Sequence, residues 1–160
     1  MKRIEQLQPL SKEHHLSLVL AQKAIKVSAG GKEDAIARLC QEIVNEYPDV
    51  WQVHFQIEEE SIFQLINHRA KSGNNNVQQK EREQESEAVQ LCQQLQQEHL
   101  TMNGYYQQMK SGDYTILGEF GELLKQHTRT EERLLFPMLD EILNPEELDS
   151  VYQTSLKYRL

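Results

Sequence analysis

Apolar residues recur along this chain at the spacing of helix faces, three and four positions apart, over several long stretches. Runs of β-branched and aromatic residues, which would indicate strands, are missing. The few glycines and prolines are clustered, and these clusters punctuate the helical stretches. The pattern therefore predicts an all-α protein.

Breaks in the pattern divide the chain into four long helices. Ser11 is a candidate N-cap, Gly30-Gly31 a C-terminal stop, and Gly73-Asn74-Asn75-Asn76 a loop. The predicted helices cover about residues 11–29, 32–71 with an interruption at Tyr47-Pro48, 77–110, and from the break at 111–113 to about 143, with a kink at Pro137. Asn144-Pro145-Glu146-Glu147 predicts the start of a short further helix, packed outside the four.

We therefore expect a single domain over residues 1–160, with a bundle at about 9–143 and a C-terminal helix at about 145–158. The net charge of −8, with no Lys/Arg cluster longer than two residues, argues against nucleic-acid and membrane surfaces as partners. No apolar run approaches the ~20 residues that a membrane span needs. Cys40 and Cys92 lie far apart in helical patterns, as core thiols would, which fits a cytoplasmic location.

An internal repeat relates two parts of the chain. Residues 54–66 align with residues 127–139, so that a histidine, a Glu-Glu pair and a phenylalanine match at the same spacing. A Glu-His pair precedes each copy: Glu13-His14 the first and Glu98-His99 the second. The repeat predicts two helical hairpins with one plan, each with a histidine on one helix and His-x-x-x-Glu on the other.

This arrangement favours a metal site. Residues four apart share a helix face, so each His-x-x-x-Glu pair can aim both side chains at one point. Imidazole nitrogen and carboxylate oxygen are ligands for iron, manganese and zinc, and di-iron sites in helical bundles are built from such inward-pointing residues. The candidate ligands are His14, His54, Glu58, His99, His127 and Glu131. The two glutamates would bridge two metal ions, and the histidines would fill the outer positions.

A lone His-x-x-x-Glu pair is more often a solvated helix face, but here the pair occurs twice and its histidines lie on apolar stripes. Burying a histidine there is costly unless it has a hydrogen-bond partner or a metal. On the first helix His14 shares the apolar face, and His15 is the alternative if the helix starts irregularly.

Neighbouring polar residues receive other interpretations. Glu59, Glu60 and Glu132 point off the apolar stripes and are interpreted as surface charges. Tyr106, two turns from His99, is interpreted as a core residue, with lining of the site as the alternative.

The paired motifs also resemble a known family. His-Phe-x-x-Glu-Glu-x-x-Ile-Phe at 54–63 and His-Thr-x-x-Glu-Glu-x-x-Leu-Phe-Pro at 127–137 resemble the two signature segments of hemerythrin-like, or HHE cation-binding, domains. Residues 10–15 resemble the opening of bacterial members. The resemblance implies an up-down-up-down four-helix bundle and two iron ions, oxo- or hydroxo-bridged, with manganese or zinc as other metals. It also implies that the six residues named above are the ligands.

The chain departs from the family pattern at one position. Oxygen-carrying hemerythrins supply two histidines, four residues apart, from the third helix. Here the residue four positions after His99 is Asn103. The resemblance therefore implies four histidines, with open positions or a water, asparagine or extra carboxylate ligand in place of the fifth.

The expected function is that of a non-haem di-iron-binding protein rather than an enzyme. It would sense, bind or buffer a small diatomic ligand such as oxygen or nitric oxide, reactive oxygen species, or iron. One alternative is an iron-delivery or iron-centre repair protein that uses Cys40 and Cys92, provided that they are accessible. The other is a metal-free helical interaction module, whose stability would not respond to metal.

Overall fold

The structure, a computed structural model, describes residues 4–72 and 78–159, which are helical along nearly their whole length and contain no strand. Within these ranges the α-helices are α1 (Gln8–Gly30), α2 (Glu33–Glu46), α3 (Trp51–Glu58), α4 (Gln64–Ser72), α5 (Gln79–Lys110), α6 (Leu117–Thr130), α7 (Phe136–Ile142) and α8 (Pro145–Arg159). Two five-residue π-helical segments, Glu59–Phe63 and Glu131–Leu135, join α3 to α4 and α6 to α7. Across residues 4–72 and 78–159, every helix is too short or too polar to span a bilayer.

The helices form the predicted all-α, up-down-up-down bundle. Its four rods are α1, the broken rod α2–α4, α5, and the broken rod α6–α7. The first rod packs along the fourth, where Gly121 allows a close approach: a Cβ atom there would lie 2.9 Å from the backbone oxygen of Ala21. Because a backbone atom cannot move aside as a side chain can, this spacing requires glycine.

The ends of the first helix agree only in part with the sequence prediction. Gly31 ends α1 in the left-handed conformation (φ 68°), and its N–H donates to the carbonyl of Ser28, as expected for a glycine stop. The N-terminus lies earlier than predicted, at Gln8, because Pro9 is accommodated in the first turn, where its missing N–H costs nothing. Ser11 is therefore inside the helix and is not its N-cap. The predicted loop at 73–76 lies outside the described residues.

The buried apolar residues form two clusters with a polar layer between them. One cluster contains Leu10 of α1 and Leu95 of α5, and the other contains Ala21 of α1 and Met102 of α5. Between the two clusters, each of the four rods contributes a buried histidine. A polar layer is costly in this position, so its side chains must satisfy one another or a bound ion.

The two π-helical segments change which residues face the core. In the second segment the N–H of Phe136 donates to the carbonyl of Glu131, five residues back instead of four. Each segment therefore inserts one extra residue into its turn and moves the apolar stripe by one position. A regular 3.6-residue period counted from His127 would place Leu134 on the core stripe, but Leu134 is 49% exposed, and Leu135 is buried in its place.

Proline explains one of these segments. Pro137 has no N–H with which to bond the carbonyl four residues earlier, and its ring would clash with that carbonyl in an α-helix. The kink predicted at Pro137 is realised as the π-helical segment that immediately precedes α7. The segment Glu59–Phe63 has no proline, so its geometry has another cause.

The shifted register gives a matched pair of substitutions. Leu135→Ala is expected to lower the free energy of unfolding by about 2–5 kcal/mol, because it leaves a cavity in a packed core. Leu134→Ala, one residue earlier and half exposed, should change it by less than about 0.5 kcal/mol. Urea unfolding of both variants measures the difference. Equal effects, or a larger effect for Leu134→Ala, would contradict the π-helical register.

Helix α8 begins as the sequence predicts and packs against the bundle. Asn144 and Glu147 form a reciprocal capping box, in which each backbone N–H donates to the other's side-chain oxygen at 3.0 and 2.8 Å. Leu148, Val151 and Ser155 form its buried face. This helix runs alongside α1, α3 and the first π-helical segment.

Candidate metal centre

The six candidate ligands are all buried and lie together in the polar layer. Their ligand atoms form two groups, each with all atoms within 4.8 Å of one another. The groups are His14, His54, Glu58 and Glu131, and Glu58, His99, His127 and Glu131. Each group thus takes its two histidines from one helical hairpin, and both groups share the same two glutamates.

Glu58 lies between the histidines of the two hairpins. Its Oε2 is 3.4 Å from Nε2 of His54, one turn earlier on the same rod, and 3.6 Å from Nε2 of His14. Its Oε1 is 3.2 Å from Nε2 of His99 on α5. One carboxylate therefore presents one oxygen to each group.

Glu131 repeats this arrangement from the opposite rod. Its Oε1 is 2.6 Å from Nε2 of His127, one turn earlier, and its Oε2 is 3.7 Å from Nε2 of His14 in the other hairpin. The two glutamates thus occupy equivalent positions, as the sequence repeat requires. A side chain that spans two groups in this way is suited to bridging two cations.

Every histidine of the centre contacts a second carboxylate with its other ring nitrogen. The Nδ1 atoms pair as His14 with Glu132 at 2.6 Å, His54 with Glu13 at 3.0 Å, His99 with Glu59 at 3.3 Å, and His127 with Glu98 at 2.9 Å. Because an ionised carboxylate only accepts hydrogen bonds, each Nδ1 carries the proton and donates it. When a ring is neutral, its Nε2 lone pair is then free and faces the interior, which is the tautomer that binds metal.

These outer carboxylates correct the sequence interpretation. Glu59 and Glu132 were predicted to be surface charges, but each holds the histidine of a neighbouring rod. Glu60 lies further out, where it accepts hydrogen bonds from Tyr158 and Gln56. The missed signal is that each outer carboxylate directly neighbours a candidate ligand in sequence. Adjacent residues differ by about 100° around a helix, so the neighbour of an inward ligand faces the next rod.

The free lone pairs face each other in pairs. Nε2 of His14 is 3.1 Å from Nε2 of His54, and Nε2 of His99 is 3.1 Å from Nε2 of His127. Two lone pairs at this separation repel unless a proton or a cation lies near both. Neighbouring ligand atoms that each lie ~2.1 Å from one ion are roughly 3.0 Å apart in octahedral and 3.4 Å apart in tetrahedral geometry, so the spacing suits a shared ion.

The pKa values of the histidines reflect their burial and the charged groups around them. Burial disfavours the charged form of His54, but the carboxylates of Glu58 and Glu13 outweigh it and raise its pKa to about 9. Burial lowers the pKa of His127 to about 4, and the nearby His99 contributes to the lowering. The pKa of His99 is raised, because Glu58 and Glu59 outweigh its burial. Positive charge in the layer is therefore stabilised by the carboxylates.

The two shared glutamates provide the test of whether a cation fits. Both are fully buried, and with the Nε2 atoms unprotonated none of their four carboxylate oxygens has a hydrogen-bond donor among the residues that the structure describes. Burial opposes ionisation of Glu58, but the adjacent His54, His14 and His99 hold its pKa well below the usual range. An ionised, buried carboxylate without hydrogen bonds is costly. A cation between these oxygens and the Nε2 atoms would satisfy both.

Other residues considered from the sequence lie outside this layer. His15 is exposed and lines a surface groove with Lys125 and Arg129, so the structure selects His14 as the inward histidine. Tyr106 stacks on Tyr47 with ring centroids 4.5 Å apart, within the apolar cluster around Met102.

Aromatic rings from both apolar clusters shield the histidines. Phe55 stacks on His99 with centroids 4.1 Å apart, and Phe63 lies 5.6 Å from the same ring. Phe136, the repeat partner of Phe63, lies 5.1 Å from His14. These rings lower the local polarity around the imidazoles and strengthen electrostatic interactions within the layer.

A family model described as the hemerythrin HHE cation binding domain matches residues 7–139. The chain belongs to this hemerythrin HHE family. Membership implies metal cation binding, and the buried His/Glu groups agree with it. The HHE match includes all six candidate ligands and all four outer carboxylates but ends before α8. No curated protein and no solved structure matches the chain.

Proposed function

We propose that this HHE protein is a non-haem di-iron-binding protein. Each iron would take two imidazole nitrogens from one hairpin and share Glu58 and Glu131 with the other iron. The observation that supports two ions is the presence of two four-residue groups with both glutamates in common. A single ion would leave two inward-facing imidazoles of the other group without a partner.

The donor set is compatible with iron. It combines neutral imidazole nitrogens with carboxylate oxygens and contains no thiolate, which suits iron, manganese or zinc rather than a softer ion. Paired irons held by inward Glu and His residues are a recurring feature of helical bundles. We propose two iron ions with an oxo or hydroxo bridge, while manganese or zinc could occupy the same ligands.

We further propose that the centre senses, binds or buffers a small ligand such as oxygen, nitric oxide or reactive oxygen species, or buffers iron itself. Four protein residues per ion leave room in a six-coordinate shell, and redox-active iron with open positions would supply the affinity for such ligands. The protein contributes fixed imidazoles, two shared carboxylates and, through Phe55 and Phe63, restricted access for water.

The cysteines do not support the delivery or repair alternative. Cys40 and Cys92 are free and buried. Burial raises the pKa of the Cys40 thiol to about 11 and that of Cys92 to about 12, so both remain protonated at neutral pH. A protonated, inaccessible thiol neither attacks nor binds metal readily. Free thiols are also consistent with the reducing cytoplasm, where we propose that the protein acts.

Metal analysis and the visible spectrum test this proposal. Protein purified from iron-supplied cells should contain about two irons per chain and show charge-transfer bands that change on exposure to air. Manganese or zinc at the same ratio would retain the site and change its chemistry. No metal, or one weakly held ion, would overturn the two-ion centre.

The outer carboxylates should tune the affinity for metal. Glu98→Ala removes the acceptor that orients His127, so metal affinity is expected to fall about 10–100-fold without loss of the ligands themselves. Glu87→Ala, an exposed substitution on the same helix, is the matched control and should leave the affinity unchanged. Competition with a chromophoric chelator measures both constants. Equal affinities for the two variants would contradict an orienting role for Glu98.

A further inference from the structure

The last turn of helix α8 contacts one of the outer carboxylates of the candidate metal centre. Nη2 of Arg159 contacts both carboxylate oxygens of Glu13, at 2.6 Å from Oε2. The same Oε2 accepts the Nδ1–H of His54 at 3.0 Å. Arg159, Glu13 and His54 thus form a continuous chain from the protein surface to a candidate ligand.

The sequence repeat provides an internal comparison. Glu98 is the counterpart of Glu13 in the second hairpin, where it accepts the Nδ1–H of His127 at 2.9 Å. Glu98 also receives a neutral amide donor, Nε2 of Gln94, at 3.1 Å. Equivalent carboxylates therefore have different outer partners: a guanidinium on Glu13 and an amide on Glu98. The two halves of the centre, alike in their ligands, differ in this outer layer.

The position of Arg159 is fixed by the packing of α8. Val151 and Ser155 are fully buried against the bundle. Tyr158, the residue before Arg159, donates a hydrogen bond to Glu60 and accepts one from Gln56 at 3.2 Å. These contacts hold the last turn of α8 beside the first π-helical segment.

We propose that Arg159 is a positioning residue that fixes Glu13 against His54 and so strengthens the His14–His54 half of the centre selectively. This inference rests on the proposed two-ion function. A charged guanidinium nitrogen that donates to both oxygens of one carboxylate restricts the rotation of that carboxylate. The restricted orientation fixes the tautomer and ring plane of His54, which is how outer partners strengthen a metal ligand. Arg159 lies outside the matched residues 7–139, so membership of the family does not by itself imply this contact.

Cobalt(II) binding to the metal-free full chain tests the relay, by which we mean the chain of contacts from Arg159 through Glu13 to His54. We expect two binding steps in the wild type, with the d–d absorption of each ion reporting its ligands. Arg159→Gln should weaken one step about 10-fold and leave the other within about 2-fold. Arg159→Lys, which retains a positively charged nitrogen donor, should weaken that step less than Arg159→Gln does. Lys157→Gln removes the same charge from the same helix and should change neither step.

A double-mutant cycle assigns the affected step. Glu13→Ala should weaken the same step as Arg159→Gln, and the double variant should be no weaker than Glu13→Ala alone. Glu98→Ala should weaken the other step. Because the Arg159 side chain is 29% exposed at the surface, its loss should leave the thermal midpoint of the metal-free protein nearly unchanged.

The possible outcomes distinguish failure of the relay from failure of the proposed two-ion function. If the wild type binds two cobalt ions and Arg159→Gln binds both equally well, the relay is wrong and the two-ion centre stands. Equal weakening of both steps, or additive effects of Glu13→Ala and Arg159→Gln, would also overturn the relay. A wild type that binds no cobalt, or only one ion, would overturn the proposed two-ion function and the relay with it.

Discussion

Replacing either Glu58 or Glu131 with glutamine is expected to leave the protein unable to hold two metal ions. Each glutamate is shared by both His/Glu groups, so one substitution weakens both halves of the centre. The amide retains the size of the side chain but removes the charge that a bridging ligand supplies. We expect a loss of affinity of ~100-fold or more, beyond the range found for outer partners alone. The metal content measured by elemental analysis should fall from two ions per chain to at most one.

Glu122→Gln is the matched control for both variants. Glu122 is an exposed residue of α6, on the rod that also supplies His127 and Glu131. Its substitution removes one negative charge, as the test variants do, but removes no ligand, so metal content should stay at the wild-type value. Full metal content in both Glu58→Gln and Glu131→Gln would refute bridging by these carboxylates.

The inward histidines were predictable because each lies on a regular apolar stripe. His99 illustrates this, since Leu95 and Met102, one turn to either side on the uninterrupted helix α5, are both buried. Over such a stretch the period of 3.6 residues maps directly onto burial. The paired Glu58 and Glu131 follow from their i+4 spacing, which local helix geometry alone determines.

The 3.6-residue period does not predict the buried positions that follow Glu58 and Glu131 in the sequence. From Glu58 or Glu131 onward, the π-helical turn rotates the rest of the rod. A regular 3.6-residue period counted from His54 and His127 would bury Leu65 and Leu134, but Ile66 and Leu135 are buried instead. A π-helical turn is stabilised by what the rod packs against on either side, and that information is tertiary. Pro137 signals the second segment locally, and the first has no equivalent mark.

The outer carboxylates were missed for a related reason. Glu59 and Glu132 do lie off the apolar stripe, and their side chains remain 36% and 26% exposed. Whether an off-stripe carboxylate faces water or a neighbouring imidazole depends on where the next rod lies. Local geometry determines the direction of a side chain on a regular helix, while the pairing of Glu59 with His99 arises only when the two hairpins pack together.

Removing the metal is expected to lower the midpoint of thermal unfolding by about 10–20 °C. An ion present at 100 times its Kd stabilises the folded state by about 2.7 kcal/mol, so two ions contribute about 5 kcal/mol. For a chain of this size, each kcal/mol shifts the midpoint by about 2–4 °C. Without metal, the fully buried oxygens of Glu58 and Glu131 lose the partner that offsets their desolvation. Calorimetry with and without a chelator measures the shift.

Glu58→Gln distinguishes loss of metal from a general effect of the chelator. Since this variant should hold at most one ion, its midpoint should respond to chelation much less than that of the wild type. An unchanged wild-type midpoint would favour the alternative of a metal-free helical module, because a metal ion that binds only the folded state must stabilise that state. A wild-type shift that Glu58→Gln reproduces in full would place the stabilising ion elsewhere in the chain.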